Sequence, residues 1–99
     1  MTEASIEKRL VEGVKKLGGM CLKFVSPSMA GVPDRLIITS DGRVIFAELK
    51  TEVGRLSKIQ KFTIGEMRKR GADVRVVKGL AEVKQLLAEI EGCQNGKSV

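Results

Sequence analysis

The stretch VIFAELK at residues 44–50 decides how this chain folds. Its first four residues are apolar, and the β-branched and aromatic side chains among them favour an extended strand. The strand then ends in Glu48 and Lys50, two positions apart. Because residues i and i+2 of a strand point to the same face of a sheet, these two charged side chains are expected to project together from one surface.

A hairpin is predicted to bring a second carboxylate to the same surface. Residues 35–39 read as a strand that follows Pro33-Asp34 and precedes the returning strand. A two-residue loop would turn Asp34 to the wrong face, whereas a three-residue loop at 40–42 places it opposite Glu48. The longer loop wants a glycine at its last, left-handed position, which is where Gly42 stands. We therefore expect the three-residue register.

The two carboxylates and the lysine indicate a particular chemistry. Directly opposed residues of a hairpin have Cβ atoms roughly 5 Å apart, close enough for Asp34 and Glu48 to share one cation. Oxygen ligands are those that Mg²⁺ prefers. The ammonium of Lys50 can meet the negative charge that develops on a phosphate. The three residues together predict a metal-dependent nuclease site.

The composition is that of one small globular domain. The chain has 99 residues, of which 42% are hydrophobic and 30% are charged, and it is too short for a second core. We predict a single domain at residues 1–92 and a flexible tail at 93–99. No apolar run is long enough to span a membrane, and the N-terminus lacks the apolar region of a secretory signal, so a cytoplasmic protein is expected.

Missing residue types exclude several chemistries. Without histidine or tyrosine, the chain cannot use a histidine general base or form a phosphotyrosine intermediate. Cys21 and Cys93 are isolated, which argues against a zinc site or a disulfide and favours Cys21 as a small core residue. The aromatic residues Phe24, Phe46 and Phe62 are all expected in the core.

An excess of positive charge favours a nucleic-acid partner. The net charge is +6, with 18 basic and 12 acidic residues, although charge alone would fit a merely soluble surface equally well. The distribution favours the nucleic acid, because basic residues outnumber acidic ones between positions 50 and 70: Lys50, Arg55, Lys58, Lys61, Arg68, Lys69 and Arg70 against Glu52 and Glu66.

Periodicity and turn signals predict an α/β fold with the order α-β-β-β-α-β-α. The crossover at 51–71 is long enough for a parallel βαβ unit, which gives a mixed four-stranded sheet flanked by helices. The helices are predicted at 4–17, 57–70 and 80–91, and the strands at 20–25, 35–39, 43–50 and 73–77.

This pattern resembles the PD-(D/E)xK nuclease superfamily, which has the restriction-endonuclease-like fold. Residues 33–34 match its first element, and residues 48–50 match the second. Within the superfamily the chain is most similar to the VRR-NUC branch, whose members carry a glutamate on the first helix and a glutamine on the helix after ExK, here Glu7 and Gln60. It departs from the Val-Arg-Arg motif of that branch, since residues 74–76 are Val-Arg-Val.

The resemblance implies a role for each site residue. Mg²⁺ or Mn²⁺ would be held by Asp34, Glu48 and the carbonyl of Leu49, while Lys50 would orient the attacking water. Glu7 and Gln60 would complete the catalytic group. Basic residues after ExK and on the late strand would bind DNA phosphates, namely Arg55, Lys58, Lys61 and Arg75.

Three of these residues have structural alternatives. Glu7 lies within the apolar stripe of the first helix, where it would face the sheet as a site residue or reach water as an edge residue. Gln60 closes a capping box that starts at Ser57, in which its side chain would bond to the Ser57 backbone. Arg75 could pair with a core carboxylate instead of binding DNA.

These observations predict a metal-dependent DNA endonuclease, and the resemblance to the VRR-NUC branch implies one that selects branched DNA such as Holliday junctions. Symmetric cleavage of a junction needs two active sites, so we also predict a homodimer. Two alternatives stay open on the sequence. One is a non-catalytic nucleic-acid-binding module with a nuclease-like fold, and the other is an RNA-processing nuclease.

Overall fold

The computed structural model describes residues 2–97, with side chains through residue 93. Its elements follow the predicted α-β-β-β-α-β-α order. No helix within the described residues is long and apolar enough to cross a membrane. The elements are α1 (Glu3–Lys16), β1 (Met20–Lys23), β2 (Arg35–Ile38), β3 (Val44–Lys50), α2 (Lys58–Lys69), β4 (Val74–Lys78) and α3 (Gly79–Lys97).

The four strands form one mixed sheet in the order β1-β2-β3-β4. The first two pairings are antiparallel, and β3 pairs with β4 in parallel after the α2 crossover. Arg35 is paired with Ala47, and the Thr39 N–H donates to the carbonyl of Arg43 at 2.9 Å. This is the register of the three-residue loop, and Gly42 has the left-handed φ of +87° that the loop requires. The predicted hairpin register is confirmed.

Helices cover the two faces of the sheet differently. α1 and α3 pack against each other over one face, where Ile45, Ala47 and Leu49 of β3 are fully buried in the core. The alternate residues of β3 point the other way, and α2 lies on that side, with Thr63 and Ile64 buried. Glu48 therefore lies between the sheet and α2, outside the main apolar core.

The α2 side of the sheet carries accessible apolar residues over β1 and β2. Met20 is 55% exposed, Leu22 41% and Val44 46%. Their pairing places them on one face with the half-buried Leu36 and Ile38. In the described part of the chain, therefore, no helix seals this part of the sheet.

The aromatic residues occupy different environments. Phe24 and Phe46 are half-buried, and their rings lie 5.3 Å apart at an interplanar angle of 60°. Phe62 is 58% exposed on the outer side of α2, so the prediction that all three lie in the core is wrong. It is adjacent to the buried Thr63, and neighbouring residues of a helix point about 100° apart. Cys21 packs against the core, as predicted.

α3 is longer than predicted. It continues to Lys97, six residues beyond the expected end at Glu91. Gly92 lies inside the helix, where a glycine weakens helical structure by only about 1 kcal/mol relative to alanine and does not end it. The flexibility of residues 93–99 stays a prediction, and residues 98–99 lie outside the described part.

Candidate active site

Asp34 reaches the site through the turn that precedes β2. Its Oδ2 accepts a hydrogen bond from the backbone N–H of Leu49 at 3.1 Å. Its own carbonyl accepts from the N–H of Phe24 at 2.8 Å, which continues the β1–β2 ladder to this residue. Asp34 is thus fixed by backbone bonds on both sides, with one carboxylate oxygen directed at the end of β3.

The loop that carries Asp34 packs closely on α2. Gly31 has a φ of +84°, and a Cβ there would lie 2.6 Å from the carbonyl oxygen of Ile59. The Thr63 hydroxyl, buried on α2, donates to the carbonyl of Ala30 at 2.7 Å. Only glycine permits this approach, and it aligns the Pro33-Asp34 turn with the first turns of α2.

Glu48 is the buried centre of the site. Glu48 is only 1% exposed, yet its carboxylate faces polar partners. Oε2 accepts from the Gln60 side-chain amide at 3.0 Å and lies 3.4 Å from the Lys50 ammonium. Oε1 is buried and has no hydrogen-bond partner. A buried acceptor without a partner is costly, which makes Oε1 the atom of the site best suited to an added ligand.

The surroundings of Glu48 disfavour its charge. Burial raises the pKa of the Glu48 carboxyl, and the negative charge of Asp34 raises it further. Lys50 acts in the opposite direction through its charge and its contact with the carboxylate. The net effect is a raised pKa of Glu48. Two carboxylates therefore lie close together with a single ammonium beside them, and this arrangement favours the binding of a further cation.

Gln60 forms the predicted capping box and also contacts Glu48, while its catalytic role stays a prediction. Its side-chain oxygen accepts from the Ser57 N–H at 2.9 Å, while the Ser57 hydroxyl accepts from the Gln60 N–H at 3.2 Å, which completes a capping box. Its side-chain nitrogen remains free to donate to Glu48. One side chain, that of Gln60, therefore both caps the N-terminus of α2 and contacts Glu48 in the site.

The donor set fits a hard divalent cation. Asp34 and Glu48 offer carboxylate oxygens, and the unpartnered Oε1 of Glu48 supplies the unmet acceptor. Among the side chains described, no three His, Cys, Asp or Glu residues gather into a metal-binding group. An ion held here would need backbone and water oxygens as well, and Mg²⁺ usually keeps several waters when proteins bind it.

Comparison with known proteins identifies the family. The model of the VRR-NUC domain matches residues 1–81. The chain belongs to the VRR-NUC family of nuclease domains. A solved structure described as a VRR_NUC domain shares 32% sequence identity and a TM-score of 0.82, covering 87% of this chain and 94% of that chain. The predicted resemblance and the predicted fold are confirmed.

A phage protein gives a second similarity over a shorter region. The “Putative nuclease p44” of Acyrthosiphon pisum secondary endosymbiont phage 1 is 56% identical over 48 residues. These residues are 48% of this chain and 52% of the phage protein, so the match spans about half the length of that relative.

In this VRR-NUC domain, Glu7 does not join the group around Glu48. Its Oε2 accepts from Arg35 Nε at 2.9 Å, and Arg35 is paired with Ala47 on the α1 side of the sheet. Glu48, the next residue along β3, points to the opposite side. The catalytic role of Glu7 stays a prediction, and its observed partner is Arg35.

Glu3, in the first turn of α1, has a small electrostatic effect on Glu48. The charge of Glu3 contributes to the raised pKa of Glu48, after the larger effects of burial and Asp34. The start of α1 therefore lies within electrostatic range of the site. The sequence could have indicated this effect, because Glu3 and Glu7 are four positions apart and lie on the same side of a helix.

Arg75 is engaged by carboxylates of its own neighbourhood. Its Nε donates to Asp73 at 2.6 Å, and NH1 lies 2.6 Å from Glu89 of α3. The hydrogen bond with Asp73 and that with Glu89 both raise the pKa of the guanidinium, and desolvation opposes them. Arg75 therefore pairs with carboxylates, as the alternative required, although both are partly exposed and not in the core. Its binding of DNA stays a prediction.

The other predicted phosphate-binding residues lie in solvent beside the site. Arg55 lies in the loop after β3, and Lys58 and Lys61 lie on the first turn of α2. All three are exposed, and within the described residues none of them forms an ion pair. They can therefore meet a polyanion without breaking an internal contact.

Proposed function

We propose that this VRR-NUC domain is a metal-dependent endonuclease that hydrolyses DNA phosphodiesters. The main support for this proposal is the buried Glu48, whose Oε1 has no partner and whose neighbours are Asp34 and the Lys50 ammonium. This arrangement is costly in the absence of a cation and a phosphate, and both would relieve it.

Each residue has a definite part in the proposed reaction. Asp34, Glu48 and the Leu49 carbonyl would hold Mg²⁺ or Mn²⁺, which lowers the pKa of a bound water when present. Lys50, with a side chain only 16% exposed, is held against Glu48 and would orient the attacking water and offset charge on the phosphate. Gln60 fixes the rotamer of Glu48 through its amide.

The charge distribution supports a nucleic-acid substrate. Arg55, Lys58 and Lys61 border the site on one side, and each can neutralise a phosphate. The phage relative carries the word nuclease in its name, and the family model covers the whole proposed site. A non-catalytic module would be expected to have lost a carboxylate or the lysine, and all three are present.

We propose further that two copies associate through the accessible apolar face of the sheet, defined by Met20, Leu22 and Val44. This face lacks charged side chains in its middle, which suits a second protein surface better than a polyanion.

A homodimer would present two active sites to one substrate, as symmetric cleavage of a four-way junction requires. The expected molar mass by light scattering is that of two chains, and Leu22→Glu is expected to reduce it to one. A wild-type protein that is monomeric at micromolar concentration would contradict the dimer, and with it the two-site account of junction cleavage.

The function is tested by cleavage of three labelled substrates: a four-way DNA junction, a linear duplex and a single-stranded RNA. Each is incubated with Mg²⁺, Mn²⁺ or a chelator, with Lys50→Ala prepared in parallel. We expect metal-dependent cutting that Lys50→Ala abolishes, with the junction cut fastest.

Other outcomes assign other functions. Cutting that survives in Lys50→Ala would contradict the site. Preferential cutting of RNA would favour the RNA-processing alternative. Binding to DNA without cutting in either metal would favour the non-catalytic module.

A further inference from the structure

We infer that Lys78 is a second phosphate-binding lysine of the site, which holds the phosphate adjacent to the scissile one. This inference rests on the proposed nuclease function and concerns a residue outside the PD and ExK motifs. It makes β4, and not only β3, a strand that contacts the substrate.

The sheet register brings Lys78 beside Lys50. The two residues are paired across the parallel β3–β4 ladder, and each is the last residue of its strand. Strands of a sheet lie about 4.8 Å apart, and paired residues of a parallel ladder point to the same face. Lys78 thus extends the face of Glu48 and Lys50 by one strand.

The two lysines differ in their partners. The Lys50 ammonium lies 3.4 Å from Glu48, whereas the Lys78 ammonium has no carboxylate within ion-pair distance among the described side chains. Lys78 is nevertheless only partly exposed, so it is not a residue that simply extends into solvent. It is a positive charge held at the edge of the site without an internal counterion.

Nearby carboxylates hold the backbone around Lys78 and leave its ammonium free. Glu82 accepts from the Lys78 N–H at 2.8 Å through its Oε1. The carboxylate of Glu52, in the loop after β3, packs on Gly79, where a Cβ would lie 2.5 Å from its Oε1. These contacts fix the junction of β4 and α3, and therefore the origin of the Lys78 side chain.

Two like charges directly opposite each other on neighbouring strands destabilise a sheet unless an opposite charge lies between them. Asp34 and Glu48 are two close carboxylates that favour a cation. Lys50 and Lys78 are paired at the ends of neighbouring strands, and their two positive charges favour an anion. The backbone of a nucleic acid supplies a phosphate beyond the one being cut. Lys78 has the reach for it, because its flexible four-carbon stem carries a compact charge.

The test measures binding and cleavage with a matched control. Lys84 is an exposed lysine of α3 in the groove between α1 and α3, away from the site, so Lys84→Ala removes the same charge without the same location. Both substitutions are made in wild-type protein for cleavage and in Lys50→Ala protein for binding. The binding probe is a labelled linear DNA duplex with Ca²⁺ present, titrated at several salt concentrations.

The expected results separate a phosphate contact from a structural role. In the Lys50→Ala protein, Lys78→Ala weakens binding about 5–10-fold and reduces the slope of log K against log salt by about 1, whereas Lys84→Ala changes neither to that extent. In the active protein, Lys78→Ala raises KM with little change in kcat, and Lys78→Arg restores binding. Thermal melting of each variant confirms that the fold is intact.

Three results would overturn the inference. Equal binding and equal salt slopes for Lys78→Ala and Lys84→Ala would show that Lys78 does not contact a phosphate. The proposed function would still hold if the wild-type protein cuts DNA. A fall in kcat with unchanged affinity would do the same. A wild-type protein that neither binds nor cuts nucleic acid would overturn both the inference and the proposed function.

Discussion

Two clusters of charge lie at opposite ends of the β3–β4 ladder. At the C-terminal end, Asp34, Glu48 and Lys50 leave one carboxylate oxygen without a partner and hold Glu48 at a raised pKa. At the N-terminal end of β4, Asp73 and Glu89 together neutralise the guanidinium of Arg75.

The two clusters differ in how completely their charged side chains are paired. The Arg75 cluster pairs one positive charge with two carboxylates by direct contacts of 2.6 Å, and its side chains are 33–45% exposed. The Glu48 cluster is more deeply buried and less completely paired. Asp73 also lies 3.9 Å from NH2 of Arg43, so both carboxylates of the Arg75 cluster have basic partners, although NH1 of Arg43 is buried without one. Paired, half-exposed carboxylates stabilise the fold, whereas a buried carboxylate with an unmet acceptor is suited to bind a cation.

The largest expected contrast comes from matched aspartate substitutions in the two clusters. Asp34→Asn keeps an oxygen that can accept from the Leu49 N–H but loses the negative charge. We expect cleavage to fall by about 10³-fold or more, since charge at the reacting centre carries effects of this size. Asp73→Asn is expected to change cleavage by less than about threefold, measured as single-turnover rates in Mn²⁺.

A comparable loss of cleavage in both aspartate variants would remove the distinction between the clusters. Retained cleavage in Asp34→Asn would mean that the negative charge of Asp34 is not needed for the reaction. Melting curves on both proteins distinguish a chemical effect from unfolding.

The next contrast separates the two roles of Gln60. Gln60→Ala removes the hydrogen bond to Glu48 and half of the capping box, and we expect cleavage to fall about 10–100-fold. Ser57→Ala removes the cap without touching Glu48 and should cost about 1 kcal/mol of stability while cleavage per folded molecule is unchanged. Equal cleavage by the two variants would reduce Gln60 to a capping residue.

Glu48→Gln is expected to stabilise the metal-free protein while it abolishes cleavage. The pKa of Glu48 is raised by burial and by Asp34, so its ionised form is disfavoured in the fold. We expect a higher melting temperature than that of chelated wild-type protein at neutral pH, where the wild-type carboxyl would have to carry a buried charge. Glu66→Gln, at a carboxylate that pairs with Lys69 and Arg70 on α2, should give no such gain.

The pH dependence of stability has a defined sign. A carboxyl with a raised pKa binds more protons in the folded state than in the unfolded state, so it makes stability fall as pH rises. The window starts near 4.5, the ordinary value, and ends above the raised pKa of Glu48. Chelated wild-type protein should lose stability across that window relative to Glu48→Gln. Identical pH profiles of the two proteins would contradict the buried charge.

Glu7→Gln is also expected to have only a small effect on cleavage. Glu7 pairs with Arg35, whose side chain is 17% exposed, on the side of the sheet opposite Glu48. We expect a loss of about 1 kcal/mol in unfolding free energy and a change in cleavage of less than about threefold. A loss as large as that of Asp34→Asn would show that Glu7 acts in catalysis, as the family resemblance implied, despite its observed partner.

Much of the fold could be predicted from the sequence because several local sequence patterns indicated the same helices, strands and turns. The glycine at position 42 selected the loop length, and that choice fixed which face Asp34 shares with Glu48. Ser57 and Gln60 marked the start of α2 within one residue. By contrast, Gly92 predicted a helix end that the structure does not have, because an exposed glycine weakens a helix without ending it.

The side chains of the site were less predictable than its motifs. Sequence spacing could place Glu7 near the sheet but not choose the face, since that depends on how α1 is rotated against Arg35. Arg75 was ambiguous because Glu89, its second partner, is distant along the chain. Phe62 was assigned to the core by residue type alone, whereas the rotation of α2 turns it outward.

We propose that Asp34 and Glu48, at the C-terminal end of β3, hold a divalent cation. Calorimetric titration of Mn²⁺ tests it without a choice of substrate, using Asp34→Asn/Glu48→Gln beside the matched Asp73→Asn/Glu89→Gln. We predict that wild type and the second double variant bind Mn²⁺ with similar affinity and that the first does not bind. Equal binding by both double variants, or no binding by wild type, would contradict the account.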